Sequence, residues 1–230
     1  MALSANDLQE YRGITPLFPL PNFVMLPHVV KPFHMFEPRY RQLTVDALAA
    51  DRFITIAAFE PGWEADYEGT PALRPIACLT RIINHQETPE GTYNLLVRGI
   101  CRVRLGHELL TPTLYRQARA EPIVDPLVPV MAATRDELTA AAMPWVAGSG
   151  PAKAQLQALL NSNMNLGAMI DVIGFALPVS VACKQQLLEA LDVVQRYQLL
   201  LEFLRAGPEG QFVDLPPPSP RRKPPDFSNN

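Results

Sequence analysis

The sequence predicts an α+β fold in which a partly closed, mainly antiparallel β barrel with one helix is followed by a helical bundle. Up to about residue 123 the apolar runs are short and follow one another without interleaved helices, which favours antiparallel strands over parallel crossover units. After Pro126 the apolar residues recur at helical spacing, so this part predicts packed helices.

These patterns divide the chain into four parts. Residues 1–13 form a flexible lead-in, 14–125 the barrel subdomain, 126–206 the helical bundle, and 207–230 a disordered tail rich in proline. Of the 230 residues, 48% are hydrophobic and 19% are charged, so the chain can bury a substantial core.

The first elements lie in a proline-punctuated run that ends at Tyr40. Proline lacks an N–H and fixes its own φ, so the run cannot be one helix or the interior of a regular sheet. Pro38 suits the first position of a helix, where the missing donor is harmless, and Glu37 lies just before it. The run therefore predicts two extended pieces and a helix, at Leu17–Leu20, Lys31–Phe36 and Arg39–Ala49.

Five further apolar runs have the length and composition of strands. They are Phe53–Phe59, Ile76–Ile83, Tyr93–Cys101, Arg102–Leu109 and Thr113–Ala120. The stretch NHQETPEG has the proline and glycine content of a hairpin loop between the second and third of these. Gly99 lies inside a strand pattern, where glycine usually marks a bulge or the close approach of another backbone segment.

Helical periodicity in the second half predicts five helices that bury their apolar faces against one another. They are Met131–Met143, Ala152–Leu160, Leu166–Ala176, Val181–Leu191 and Val193–Arg205. The last helix has its apolar face at Val193, Tyr197, Leu200 and Leu204. Ser180 and Asp192 are expected N-caps, and Thr134 and Glu137 have the spacing of a capping box.

Composition and charge argue against several classes of protein. A formal net charge of −3 gives no general electrostatic reason to bind nucleic acid or an anionic membrane. Three dispersed cysteines without CxxC spacing predict reduced core thiols in a cytoplasmic protein, and no signal peptide is evident. The apolar stretch Leu166–Cys183 approaches the length of a membrane span, but it contains Asp171 and Pro178 and therefore predicts two buried helices.

The sequence contains no recognisable catalytic constellation. It lacks the GxxxxGK[ST] loop of an ATPase, and its four histidines lack the spacing of a zinc site. Ser180 and Lys184 lie four residues apart on a predicted helix and could approach each other, but an N-cap explains the serine better. We therefore expect no enzyme activity, no cofactor and no metal.

Three blocks of sequence resemble one known family. The first block is FPLPN followed by FEPRY, which ends at Tyr40. The second is Ile76–Leu105, whose last part contains an RG-x-x-R pattern at Arg98, Gly99 and Arg102. The third is Lys184–Leu204. In this order they resemble the LON substrate-binding domain, the N-terminal domain of ATP-dependent Lon proteases, over roughly residues 14 to 206.

The resemblance implies a PUA-like barrel and a stand-alone member without ATPase or protease domains. It implies a non-enzymatic module that binds unfolded or peptide-like protein segments, as an adaptor in protein quality control beside an ATP-dependent protease. The shared structural motif comprises Glu37, Arg39, Tyr40, Arg98 and Gly99. We expect Glu37 to pair with Arg98 or Arg102.

Two groups of residues are candidate peptide-binding sites. Trp63 and Tyr67 lie in an acidic loop, where aromatic rings form an anchor pocket or fold back as a lid over the barrel end. Phe33, Met35 and Phe36 suit adaptable apolar recognition or core packing.

Two rival functions remain open: a nucleic-acid-binding PUA-like module, opposed by the acidic balance, and a small hydrolase with an unrecognised site. The sequence leaves the ligand and the oligomeric state open.

Overall fold

The computed structural model describes residues 8–66, 69–146 and 150–208. Their contacts divide them into two compact units, residues 8–123 and residues 124–208. The first unit is rich in strands and the second is helical, and each has its own apolar core.

The first unit is a ring of hydrogen-bonded strands with one helix. Its elements are β1 (Ile14–Leu20), β2 (Val30–Met35), α1 (Pro38–Ala49), β3 (Phe53–Ala58), β4 (Ile76–Glu87), β5 (Tyr93–Leu109) and β6 (Gln117–Ile123). The strands run in the order β5-β4-β3-β1-β6, a further β5–β6 pairing closes the ring, and β2 is joined to β5. The pairing of β1 with β3 is parallel and the other pairings are antiparallel, which confirms the predicted fold class.

The long strand β5 corrects one prediction. It runs unbroken from Tyr93 to Leu109, where the sequence predicted separate strands at Tyr93–Cys101 and Arg102–Leu109. A register shift against β4 leaves Ile100 as an extra residue, and such a bulge increases the local twist. The first half of β5 can therefore pair with β2 and its second half with β6.

The last strand of the ring begins later than predicted. β6 starts at Gln117 instead of Thr113. The hydroxyl of Thr113 donates to the carbonyl of Tyr115 at 2.8 Å, which closes a turn before the strand. Local hydroxyl-to-backbone bonds of this kind compete with strand pairing, and they delay the start of β6.

Gly99 of β5 lies next to the bulge at Ile100 and makes a close backbone contact, the two situations expected of a glycine in a strand. Its N–H donates to Val29 at 2.8 Å, and its carbonyl accepts from His28 at 2.9 Å. A Cβ at Gly99 would lie 2.4 Å from the carbonyl oxygen of Leu26 and 3.0 Å from the Cα of Pro27. The absence of a side chain therefore lets the segment before β2 lie directly against β5.

The described residues of the second unit form five α-helices and a short 3₁₀ turn, Met143–Val146, with one apolar core. The helices are α2 (Ala132–Ala142), α3 (Gly150–Leu160), α4 (Leu166–Ala176), α5 (Val181–Glu189) and α6 (Val193–Ala206). The apolar face predicted for the last helix is buried in this core, at Val193, Tyr197, Leu200 and Leu204. Burial of these faces stabilises the bundle, since each fully buried aliphatic side chain contributes roughly 1.5–3 kcal/mol.

Side chains cap two of these helices as predicted. The Oγ of Ser180 accepts the N–H of Cys183 at 3.2 Å at the start of α5. The Oδ1 of Asp192 accepts the N–H of Gln195 at 2.8 Å at the start of α6. Each bond satisfies a backbone donor that the helix itself leaves unpaired.

The predicted capping box at Thr134 and Glu137 is wrong. Helix α2 begins at Ala132 without a side-chain cap, so Thr134 lies inside its first turn. The carboxylate of Glu137 instead accepts hydrogen bonds from Tyr197 and Arg205 of α6. A contact between helices thus takes the place of the local cap.

The apolar stretch from residue 166 to residue 183 forms two separate helices, as predicted. Helix α4 ends at Ala176 and α5 begins at Val181, on either side of Pro178. Among the described residues, no helix has the length and apolar character needed to cross a membrane.

Candidate functional site

Strand β2 has one hydrogen-bonded neighbour within the described part of the chain, β5. The carbonyl of Val29 accepts from Gly99 of β5, so the odd-numbered residues of β2 direct their backbone groups towards β5. The backbone groups of Val30, Pro32 and His34 therefore point to the other, open side. Proline has no N–H to donate, and the open side of an edge strand is where a sheet tolerates it.

One face of β2 carries a row of exposed side chains, which we call the β2 stripe. It consists of Val30, Pro32, His34 and Phe36, because side chains alternate between the two faces of a strand. Val30 is 45% exposed and Phe36 is 55% exposed. The ring of His34 stacks on that of Phe36 with centroids 6.0 Å apart, so the row continues past the end of the strand.

An aromatic cluster supports β2 from its opposite face. Phe33 contacts Phe18 and Phe23 edge-to-face, each with ring centroids 5.5 Å apart. Phe18 packs in the same way on Tyr40 of α1 at 4.6 Å. Each such pair adds about 0.5–1.5 kcal/mol beyond simple burial. The cluster therefore fixes β2 to β1 and α1 and holds the stripe in place.

Tyr40 anchors the base of this cluster. Its hydroxyl donates to the carbonyl of Pro19 at 3.3 Å, and the guanidinium of Arg39 lies 4.5 Å from the centre of its ring. Burial raises the pKa of Tyr40 to about 12. The phenol is therefore neutral at physiological pH and keeps its role as a donor.

The ion pair predicted for Glu37 is corrected by the structure. Its carboxylate accepts from Arg39 at 2.9 Å from Nε and 2.8 Å from Nη2, whereas the sequence suggested Arg98 or Arg102. Glu37 precedes α1 without capping it, so its side chain can reach the arginine two residues on. Arg102 is 1% exposed on β5 and lies within the wall of the barrel.

The structure separates the three apolar residues proposed for peptide binding. Met35 is buried in the core, Phe33 is half-buried in the aromatic cluster, and Phe36 is exposed on the β2 stripe. The sequence reasoning missed Val30 and His34, although strict alternation counted back from Phe36 would have identified both.

The other proposed binding residues lie in the loop after β3. Trp63 begins a short 3₁₀ turn, Trp63–Asp66, and is half-buried. Its ring stacks on Phe59 with centroids 5.3 Å apart and planes at 25°. Tyr67 lies outside the described residues. An anchor for peptides at this loop therefore stays a prediction.

The side chains of Ser180 and Lys184 are both engaged at helix ends. Ser180 caps α5, while the Nζ of Lys184 donates to the carbonyl of Phe175 at 3.0 Å, near the end of α4. Ser180 thus caps the start of α5, and Lys184 binds a carbonyl group near the end of α4. Within the described ranges, no group of three or more histidine, cysteine, aspartate or glutamate side chains is placed to hold a metal ion.

The curated proteins that resemble this chain include Lon proteases from several bacteria. The Lon protease of Geobacter metallireducens is 26% identical over 220 residues, which is 91% of this chain and 26% of that protein. The Lon protease of Escherichia coli is also 26% identical, over 214 residues, again 91% of this chain and 26% of that protein. The chain thus spans about a quarter of the length of the curated relatives it matches.

Two solved structures share the fold. The N-terminal domain of a Mycobacterium avium complex Lon protease has a TM-score of 0.63 at 19% identity, covering 83% of this chain and 97% of that chain. A Lon N-terminal domain protein from Xanthomonas campestris has a TM-score of 0.60 at 21% identity, covering 83% of this chain and 98% of that chain. The family model of the ATP-dependent protease La (LON) substrate-binding domain matches residues 14–206, and the chain belongs to that family.

Proposed function

We propose that this protein is a non-enzymatic module that binds unfolded or peptide-like segments of other proteins through the β2 stripe. Its family is named for substrate binding by an ATP-dependent protease. The observation that carries the proposal is the exposed row that ends at Phe36. Contiguous exposed apolar side chains on a folded domain are typical of an interaction surface.

The geometry of β2 suits an extended polypeptide. A segment lying along the strand would place alternate side chains against Val30, Pro32 and Phe36, since both chains have a side-chain period of two. Its backbone can also hydrogen-bond to the open-side groups of Val30 and His34, while Pro32 offers a carbonyl alone. Apolar contacts and backbone bonds do not depend on an exact sequence, which fits recognition of many unfolded segments.

The relatives suggest the fate of a bound segment. They are named Lon proteases, and this chain corresponds to about a quarter of their length. We propose that the protein acts as an adaptor in quality control, holding a segment that an ATP-dependent protease then takes up. The chain's own residues bind the segment and perform no chemical step.

A binding titration tests the proposal. A fluorescently labelled, permanently unfolded protein is titrated with the native chain and with the Val30→Ser, Phe36→Ser double variant, and anisotropy is measured. Loss of two apolar contacts of about 1 kcal/mol each should weaken binding at least tenfold. The matched control is Val45→Ser with Leu114→Ser, which removes side chains that are 49% and 58% exposed elsewhere in the same unit. Equal affinity of all three proteins would contradict the proposal.

A further inference from the structure

The paired strands β5 and β6 carry a second feature, which the β2 stripe does not explain. A cleft of about 280 Å³ lies over the paired strands. It is lined by Gly13, Arg104, Leu105, Gly106, Arg119, Ala120 and Glu121. Gly13 and Gly106 contribute backbone without side chains, so the floor of the cleft is open at both.

The pairing of β5 with β6 brings two arginines to this cleft, and a third lies next to it in sequence. Arg119 of β6 lies opposite Ile14 of β1, and Arg104 of β5 lies opposite Glu121 of β6. Arg12 precedes Gly13 of the cleft. All three arginines are exposed. They form a cationic surface on a chain whose formal net charge is −3.

These arginines differ from four others in the unit. Arg39, Arg74, Arg81 and Arg116 each form an ion pair with a glutamate. Within residues 8–66, 69–146 and 150–208, no ion pair or side-chain hydrogen bond engages Arg12, Arg104 or Arg119. Two arginines and one carboxylate, Glu121, therefore line the cleft and leave a net positive charge there.

We infer that this cleft, which we call the arginine cleft, binds an acidic segment of a partner polypeptide. Carboxylates complement the excess positive charge, and arginine holds a carboxylate through two parallel hydrogen bonds. Glu121 repels a bound carboxylate, so the cleft should favour a segment with few acidic side chains over one with many. At about 280 Å³ the cleft has room for a few side chains of a bound segment.

The test uses a labelled peptide of alternating aspartate and serine, and its counterpart with asparagine in place of aspartate. Anisotropy is measured with the native chain and with the Arg104→Gln, Arg119→Gln double variant at low salt. The native chain should bind the aspartate peptide about tenfold more tightly than the variant does, a difference of about 1.4 kcal/mol shared by two exposed ion pairs. Binding should weaken as salt is raised, because the charges are solvent-exposed.

A control with the same change in net charge is Arg41→Gln with Lys153→Gln, both exposed and far from the cleft in sequence. It should bind the aspartate peptide as the native chain does. Equal loss in both double variants, or equal binding of the asparagine peptide, would overturn the inference. So would a single-stranded oligonucleotide that binds at the cleft while the aspartate peptide does not.

The arginine cleft and the β2 stripe can be tested separately. The Val30→Ser, Phe36→Ser variant should bind the aspartate peptide with native affinity, and the Arg104→Gln, Arg119→Gln variant should still bind the unfolded protein. Loss of binding to the aspartate peptide therefore bears on the arginine cleft alone, and loss of binding to the unfolded protein bears on the β2 stripe alone.

Discussion

Arg196 of α6 and Asp125 form a bidentate ion pair inside the helical unit. Nη1 and Nη2 of the arginine donate to the two carboxylate oxygens at 2.7 and 2.8 Å. The guanidinium is fully buried, and its Nε donates to the carbonyl of Ala190 at 2.9 Å. A Cβ at Gly167 would lie 2.5 Å from Asp125, so a glycine leaves room for the carboxylate. The pair fastens the segment before α2 to the bundle.

Replacing Arg196 with methionine should destabilise the protein strongly. The change leaves Asp125 and the fully buried Asp171 without their shared guanidinium. Removing one partner from a buried ion pair typically costs about 3–5 kcal/mol. Urea unfolding of the full chain measures the loss. Arg205→Met, which removes a pair whose arginine is 61% exposed, serves as the control and should cost less than about 1 kcal/mol. Similar small losses in both variants would show that the buried pair is dispensable.

Adding a methyl group at Gly99 should also be costly. In Gly99→Ala the new Cβ would lie 2.4 Å from a backbone oxygen, so the segment before β2 must move. We expect a loss of about 2–3 kcal/mol in thermal or urea unfolding. In Gly106→Ala, on the same strand, the nearest atom is 3.4 Å away, and the effect should be small. Equal stability of the two variants would mean that the close approach at Gly99 is not required.

Tyr40 gives a prediction for alkaline pH. Burial raises its pKa from the ordinary value of 10.0 to about 12. The folded state therefore holds the phenolic proton more tightly than the unfolded state, and stability falls as the pH rises from about 10 towards 12. Tyr40→Phe should cost about 1 kcal/mol at pH ~8, from the lost hydrogen bond to Pro19. At pH ~11 the native protein should have lost about 1.4 kcal/mol that the phenylalanine variant keeps, so the variant should be as stable as the native protein or slightly more stable. Urea unfolding at the two pH values measures the difference. A cost that does not change with pH would contradict the assignment.

Ser180 should behave as a helix cap. Its Oγ accepts the N–H of Cys183, so Ser180→Ala should destabilise the chain by about 1 kcal/mol. Ser180→Asp restores an acceptor and should recover most of the loss in the same unfolding assay. If aspartate is as damaging as alanine, the hydroxyl has a role other than capping.

Sequence reasoning identified the fold class because strand and helix periodicity agree with the tertiary packing at most positions. The elements around Leu166 and Val193 show this, since their predicted apolar faces are buried in the core. The close backbone approach at Gly99 could also be predicted, because a glycine inside a strand pattern usually marks a bulge or such an approach.

Other features depend on contacts that a linear pattern does not contain. Glu37 forms its ion pair with Arg39 because the first turn of α1 brings the two side chains together. The cap expected at Thr134 is replaced by a contact of Glu137 with α6. The open edge beside the β2 stripe follows from the strand order. The arginine cleft follows from the register of β5 with β6, which brings together residues distant in sequence.

Binding at β2 can be mapped by hydrogen–deuterium exchange, with the native chain measured alone and saturated with an unfolded protein. We expect added protection in residues 29–36 and in the paired residues 93–99 of β5, since a bound segment would cover the open side of β2. Protection confined to residues 60–66 around Trp63, or to the helical unit, would contradict it.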